Sequence, residues 1–344
     1  MARRILSGSR ARNEESNHWR WKVKSSLLLF VAFLAPALSF SQDVQVRAQA
    51  NRLLEKANAV STASNLPNLE RTDTFRVFGP DSGVREGSFS RVVIQGVGRR
   101  EEITFGNYHV VNVWTDEGLT AERADVLAPP QVMTLMRLTP VYRVRFDHED
   151  VIHRIVDREL NGRAARCIEF DTIAGQKTDS NELCVDSATG VLLLGRLGQE
   201  VIENSDFFPF AGALLPGKIN YSFAGVQKME ITQSMTELNS DTANVLAAPP
   251  NATLHRFCDT YRRPFGESMP QPKPGNGGTN TDVLVRGFIA EDGRVHDAVV
   301  QRSDRPDLNS EALGLIRQWT FTPGLCNGKP TRLEASFTLH FQGR

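Results

Sequence analysis

From Val283 to Phe341 the chain leaves itself little choice of fold. Val283, Val285 and Ile289 alternate with Leu284, Arg286 and Phe288, the period of a strand. Glu291-Asp292-Gly293-Arg294 follows, and Asp-Gly predicts a two-residue type I′ hairpin because both residues tolerate positive φ. Val295–Gln301 then returns as the second strand. Pro306-Asp307 opens a helix whose Leu308, Ala312, Leu315, Ile316 and Trp319 make one apolar stripe, ended by Pro323 and Gly324. Asn327-Gly328-Lys329-Pro330 turns the chain into a last strand. There Leu333, Ala335, Phe337, Leu339 and Phe341 alternate with Arg332, Glu334, Ser336, Thr338 and His340. The order requires a small ββαβ unit over 283–344, its sheet covered on one face by the helix.

Upstream, residues 44–60 place Val46, Ala50, Leu53, Leu54 and Ala57 at helical spacing. From Thr74 to about Leu238 the period changes to two. Strand runs are read at Phe75–Phe78, Ser88–Gln95, Glu102–Trp114, Val141–Asp147, Ala164–Asp171, Glu182–Asp186, Val191–Glu203, Ile219–Phe223 and Val226–Gln233, with one helix at Pro130–Met136. The fold class is therefore α+β: over 42–240 a curved antiparallel sheet, a half-barrel, around a helix, followed by the ββαβ domain. Between them, residues 241–282 are rich in Pro and then Gly and read as a linker.

The opening carries seven Lys/Arg before an uncharged run from Ser25 to Phe40, broken at Pro36 and ending in small residues at Ser39 and Ser41. This predicts a secretory signal over 1–41, with cleavage after Ser41 and export to the periplasm. An inner-membrane anchor at residues 25–40 is the alternative, although that run falls short of the ~20 residues a spanning helix needs. Lys+Arg and Asp+Glu balance at 40 each, so no nucleic-acid footprint is present.

Four cysteines in an exported chain invite disulfides. If residues 172–181 connect two strands, Cys167 and Cys184 face one another across a hairpin, leaving two buried thiols as the other reading. Cys258 and Cys326 remain as a candidate second pair, which would clamp the linker to the last domain.

Asp292-Gly293 with Val295, the helix ending Trp319, Phe321 and Pro323, and Asn327-Gly328-Lys329-Pro330 before the aromatic strand together resemble the C-terminal domain of the TonB family. That resemblance implies a module that recognises an extended segment of an outer-membrane or other envelope protein by strand addition, in TonB-dependent transport. The implied partner-binding edge strand carries Thr331, Leu333, Ala335, Phe337, Leu339 and Phe341, with Arg332, Glu334 and His340 on its exposed face. Residues 44–240, with Leu183-Cys184-Val185-Asp186 and Thr189-Gly190-Val191-Leu192, resemble the LolA-like lipoprotein carriers, which implies a lipid ligand for that domain.

Catalytic chemistry is not indicated. His148 and His153 are five apart in strand-like sequence, whereas a HExxH zinc site needs them four apart on a helix. No P-loop, nucleophile elbow or CxxC occurs, so neither catalytic residues, a cofactor nor a metal is expected. The sequence predicts a non-enzymatic envelope protein.

Overall fold

The computed structural model describes residues 36–62, 66–79, 83–123, 126–138, 144–172, 181–238, 245–273, 275, 280–303 and 305–342. The chain divides into two compact units, Met1–Gln42 and Asp43–Arg344. Most of the expected signal segment, including Ser25–Ala35, lies outside the described residues. Among the described residues no helix is long and apolar enough to cross a membrane.

Helix α1 (Pro36–Ser61) contains the expected helix 44–60. It is followed by β1 (Leu69–Phe78), β2 (Val84–Ile94), β3 (Gly98–Phe105), β4 (Tyr108–Thr115), β5 (Gly118–Ala121) and helix α2 (Pro130–Leu138). Next come β6 (Val151–Leu160), β7 (Arg163–Asp171), β8 (Asn181–Asp186), β9 (Leu192–Leu197), β10 (Glu200–Ser205), β11 (Phe208–Phe210), β12 (Ala213–Leu215), β13 (Lys218–Phe223) and β14 (Val226–Glu237). Strand β15 (Thr253–Arg256) completes a 13-stranded sheet in the order β15-β5-β4-β3-β2-β1-β14-β13-β10-β9-β8-β7-β6. A sheet this wide curls rather than lying flat. Both helices sit on its inner side. Ala50 and Leu54 of α1 pack on Ile152, Ile168, Phe170 and Leu183, while Val132 and Leu135 of α2 pack on Phe75, Phe89, Ile103 and Ile231.

Three expected strands turn out differently, each for a physical reason. The runs Glu102–Trp114 and Val191–Glu203 are hairpins, reversed at Gly106 and Gly198, both with positive φ. Val144–Asp147 is not a strand, and residues 141–143 lie outside the described residues. Its alternation is real, since Val144 and Phe146 pack on the α1 core, but its backbone is satisfied by a helix. Asn58 of α1 donates to the Val144 carbonyl at 2.7 Å and accepts from the Val144 amide at 2.9 Å, while Arg47 donates to the carbonyl of Asp150 at 2.6 Å. Conversely β6 escapes a period-two reading because a bulge between Ile152 and Arg154 puts His153 out of step.

The expected linker is built into the structure. Within it β15 pairs with β5, β16 (Tyr261–Arg262) with β21 (Leu325–Cys326), and β17 (Phe265–Ser268) with β20 (Thr320–Thr322). Backbone pairing, rather than side-chain burial, fastens these short strands, so composition reads them as a tether. Gly118 (φ 153°) lets β15 approach, since a Cβ there would meet the His255 carbonyl oxygen at 2.3 Å.

In the C-terminal module β18 (Thr281–Ile289) lies between β19 (Val295–Ser303) and β23 (Leu333–Phe341). A 3₁₀ turn, Pro306–Leu308, leads into α3 (Asn309–Ile316), and β22 (Lys329–Pro330) pairs with β21. Val283, Val285, Ala312, Ile316, Trp319, Phe337 and Leu339 share one core. The hairpin from β18 to β19 is not the expected two-residue turn: only Gly293 has positive φ, and the Gly293 amide donates to the Ala290 carbonyl across a longer loop. The Asp292 carboxylate accepts from the Arg294 amide at 2.9 Å within this loop. A Cβ on Gly293 would collide with the Phe321 carbonyl oxygen, because the turn docks on β20.

Candidate functional site

Strand β23 runs antiparallel to β18 with Val283 opposite Leu339 and Val285 opposite Phe337. Among the described residues no strand pairs with its other side, so it presents a sheet edge. Of the expected edge residues, Phe337, Leu339 and Phe341 are buried in the core, Leu333 and Ala335 are half-buried, and Thr331 lies just before the strand. Their side chains hold β23 in place, and what the edge offers a partner is backbone. The charges expected to bias a partner are engaged at home. Arg332 pairs with Asp297 and lies over the Phe288 ring, Glu334 pairs with Arg286, and His340 Nδ1 is 2.7 Å from Asp282.

The second face of this sheet is covered too. Arg286 is 2% exposed; its Nε donates to Glu334 Oε1 at 3.1 Å and its Nη1 to the Ala128 carbonyl at 3.2 Å, just before α2. Beside it, burial pushes the Tyr108 phenol above its ordinary 10.0, with the Arg286 charge working against the rise. Nearby, α2 touches β19. Glu200 of β10 accepts from Arg137 at 2.7 Å, from Arg302 of β19 at 3.4 Å and from the Tyr221 hydroxyl at 3.4 Å. These cross-module contacts were not read from the sequence, although a signal existed. Leu284 and Phe288 make the second face of β18 apolar as well as the first, the pattern of a strand covered on both sides.

A separate cavity of about 440 Å³ lies inside the curved sheet, lined by Leu138, Val144, Phe146, Phe170, Leu183, Leu192 and Ile202, with Arg137, Arg145 and Glu200 at its wall. A second space of about 190 Å³, reaching Leu54, Ala57, Leu215 and Ile219, shares Arg137, Leu138, Val144, Leu192 and Ile202 with it. The segment pinned by Asn58 and Arg47 forms part of both linings or their rim.

Both disulfides are present. Cys167 and Cys184 stand directly opposite in the β7–β8 register, with Ile168 opposite Leu183, and Cys258 is bonded to Cys326. Glu182 lies within ligand distance of the Cys167 and Cys184 sulfurs, but those sulfurs are bonded to each other and offer no thiolate. His148 is exposed beside Glu149, and His153 pairs with Asp171 at 2.9 Å, so the two do not converge.

No curated protein matches the chain in sequence. In structure it is similar to a LolA superfamily protein from Nitrosomonas europaea, at 16% identity and a TM-score of 0.36 over 58% of this chain and 97% of that one. It is also similar to a DUF1329 family protein from Desulfovibrio piger (12% identity, TM-score 0.37, 58% and 96% covered). A third likeness is to a putative outer membrane lipoprotein-sorting protein domain from Vibrio parahaemolyticus (11%, 0.33, 60% and 98%). Residues 276–342 match the family described as the Gram-negative bacterial TonB protein C-terminal.

Proposed function

We propose that the chain is a non-enzymatic periplasmic protein whose C-terminal module captures an extended segment of an outer-membrane or other envelope partner, adding it as a strand beside β23 in TonB-dependent transport. One observation carries this reading. The module's sheet has α3 on one face and the N-terminal domain against the other, while β19 borders α2, so β23 is the side left for a partner strand. An added strand is held by main-chain hydrogen bonds whatever its sequence, and side chains then select among partners. The match of residues 276–342 supports the same module, and two disulfides fit an oxidising compartment. Placing a photo-reactive amino acid at the exposed Thr338 and irradiating cells tests it. Cross-links to an envelope protein are expected, and their absence, or their equal yield from an exposed position on β6, contradicts the reading. Fractionation with N-terminal sequencing tests the location, with a soluble periplasmic chain starting near Gln42 expected.

The apolar cavity supports a second reading, a carrier for a lipid or lipoprotein acyl chain. Lipid extraction of purified Asp43–Arg344 followed by mass spectrometry decides it: a stoichiometric acyl ligand supports a carrier, and a lipid-free protein removes it.

A further inference from the structure

The segment that joins the two domains carries an exposed apolar strip. Phe257 is 55% exposed, Tyr261 47%, Phe265 74% and Met269 44%. Residues 255–273 also hold Arg256, Arg262, Arg263 and Lys273 against Asp259 and Glu267 only, whereas residues 42–344 hold 33 basic and 38 acidic residues. A basic, aromatic segment thus lies on a chain that is otherwise mildly acidic. Both of its acids are occupied: Asp259 accepts from Asn327 at 3.5 Å, and Glu267 accepts from the Thr322 hydroxyl at 2.8 Å. Arg262, Arg263 and Lys273 make no ion pair among the described residues, and Arg256 reaches Glu117 only at 4.0 Å.

The strip is tied to the last domain by covalent and hydrogen bonds, and its rings are exposed. The Cys258–Cys326 bond anchors it, Thr260 and Asn327 exchange hydrogen bonds at 2.9 Å, and the Trp319 indole donates to the Pro270 carbonyl at 2.9 Å. Tyr261, Cys326 and Lys329 stand in one cross-strand row, so the phenol and the ammonium share a face. Phe265 is opposite Thr322, the neighbour of Phe321, which turns inward to the core. Aromatic rings exposed on a scaffold already fixed in place need no ordering on binding. Neither of the two cavities described above is lined by these residues.

We infer that this strip docks the protein on an anionic phospholipid surface. Exposed aromatic rings interleaved with cations match the interface of a bilayer, where rings sit at headgroup depth and Lys/Arg neutralise lipid phosphate. Three of its four cations, Arg262, Arg263 and Lys273, make no ion pair among the described residues, and this is the charge that lipid phosphate complements. Such docking holds the β23 edge near a membrane without a spanning helix among the described residues.

Flotation of purified Asp43–Arg344, a compact unit of its own, with phosphatidylglycerol–phosphatidylcholine vesicles and with pure phosphatidylcholine vesicles tests the inference. Binding to the anionic vesicles, weakened by salt, is expected. Arg262→Gln and Arg263→Gln are each expected to weaken it about fivefold. The pair Phe257→Ser and Phe265→Ser is expected to weaken it about tenfold, from the loss of partly inserted rings. These side chains are exposed, so urea unfolding of the variants should match the parent; Thr338 cross-linking in the same variants reports separately on strand capture. Failure of the parent to float with anionic vesicles, equal flotation with both vesicle types, or variants that float as well as the parent overturns the inference.

Discussion

The Arg286 guanidinium, buried in the middle strand of the C-terminal sheet, donates to the main-chain carbonyl of Ala128, 158 residues earlier in the chain. One side chain therefore ties the C-terminal module to the curved sheet, with Glu334 balancing its charge. Arg286→Met keeps much of the volume but leaves the carbonyl and the half-exposed Glu334 without their donor. A loss of about 1–3 kcal/mol in urea unfolding is expected, more than for the half-exposed Arg305→Met.

The two disulfides stabilise unequally. In the chain-entropy picture, closing the 17-residue separation of Cys167 and Cys184 contributes about 3 kcal/mol, and closing the 68-residue separation of Cys258 and Cys326 about 4 kcal/mol. Their consequences differ in place. Cys258→Ser with Cys326→Ser should raise protease cleavage between residues 257 and 268 while the 13-stranded sheet stays protected, which limited proteolysis with mass spectrometry reads directly.

Stability should fall in acid through particular carboxylates. Hydrogen bonds from Arg154 at 2.7 Å and Arg158 at 2.9 Å hold the Glu169 carboxyl below its ordinary 4.5. A depressed folded value means stabilisation that is present above 4.5 and is lost as pH falls through that folded value. Glu169→Gln should therefore be less stable than the parent at neutral pH, and the difference should vanish in acid. Asp73 runs the other way, since burial raises its carboxyl despite Arg71, so its contribution weakens as pH rises out of the acid range.

Asn58 makes two hydrogen bonds to the backbone of Val144 beside the apolar cavity. Asn58→Ala should cost about 1–2 kcal/mol and speed hydrogen exchange at the Val144 amide. If the domain carries a lipid, the same variant should load and release it faster; an unchanged exchange rate at Val144 would show that the segment is held by its packing alone.

Much of this architecture was legible because alternation records burial. The last strand, the β7–β8 hairpin and the cysteine pair across it follow from which side chains point inward. Partners were harder to read. Val144–Asp147 alternates like a strand yet bonds to Asn58 and Arg47 of a helix, and nothing in the alternation distinguishes the two. Strands β15, β16 and β17 pair through backbone with most of their side chains in solvent, so no burial pattern marks them. Contacts between domains, such as Arg302 with Glu200, depend on how two finished surfaces meet, which local periodicity does not encode. The β23 edge itself was legible as a strand, but three of its named side chains, Phe337, Leu339 and Phe341, lie in the core.

Hydrogen exchange of Asp43–Arg344 with and without a peptide from the protein cross-linked at Thr338 tests strand capture most directly. Alternate amides along Leu333–Phe341 should slow on binding, because an added strand pairs only with the groups that point away from β18, while α3 and the 13-stranded sheet stay unchanged. Protection that falls on the curved sheet or on β19, with β23 unaltered, would contradict the account.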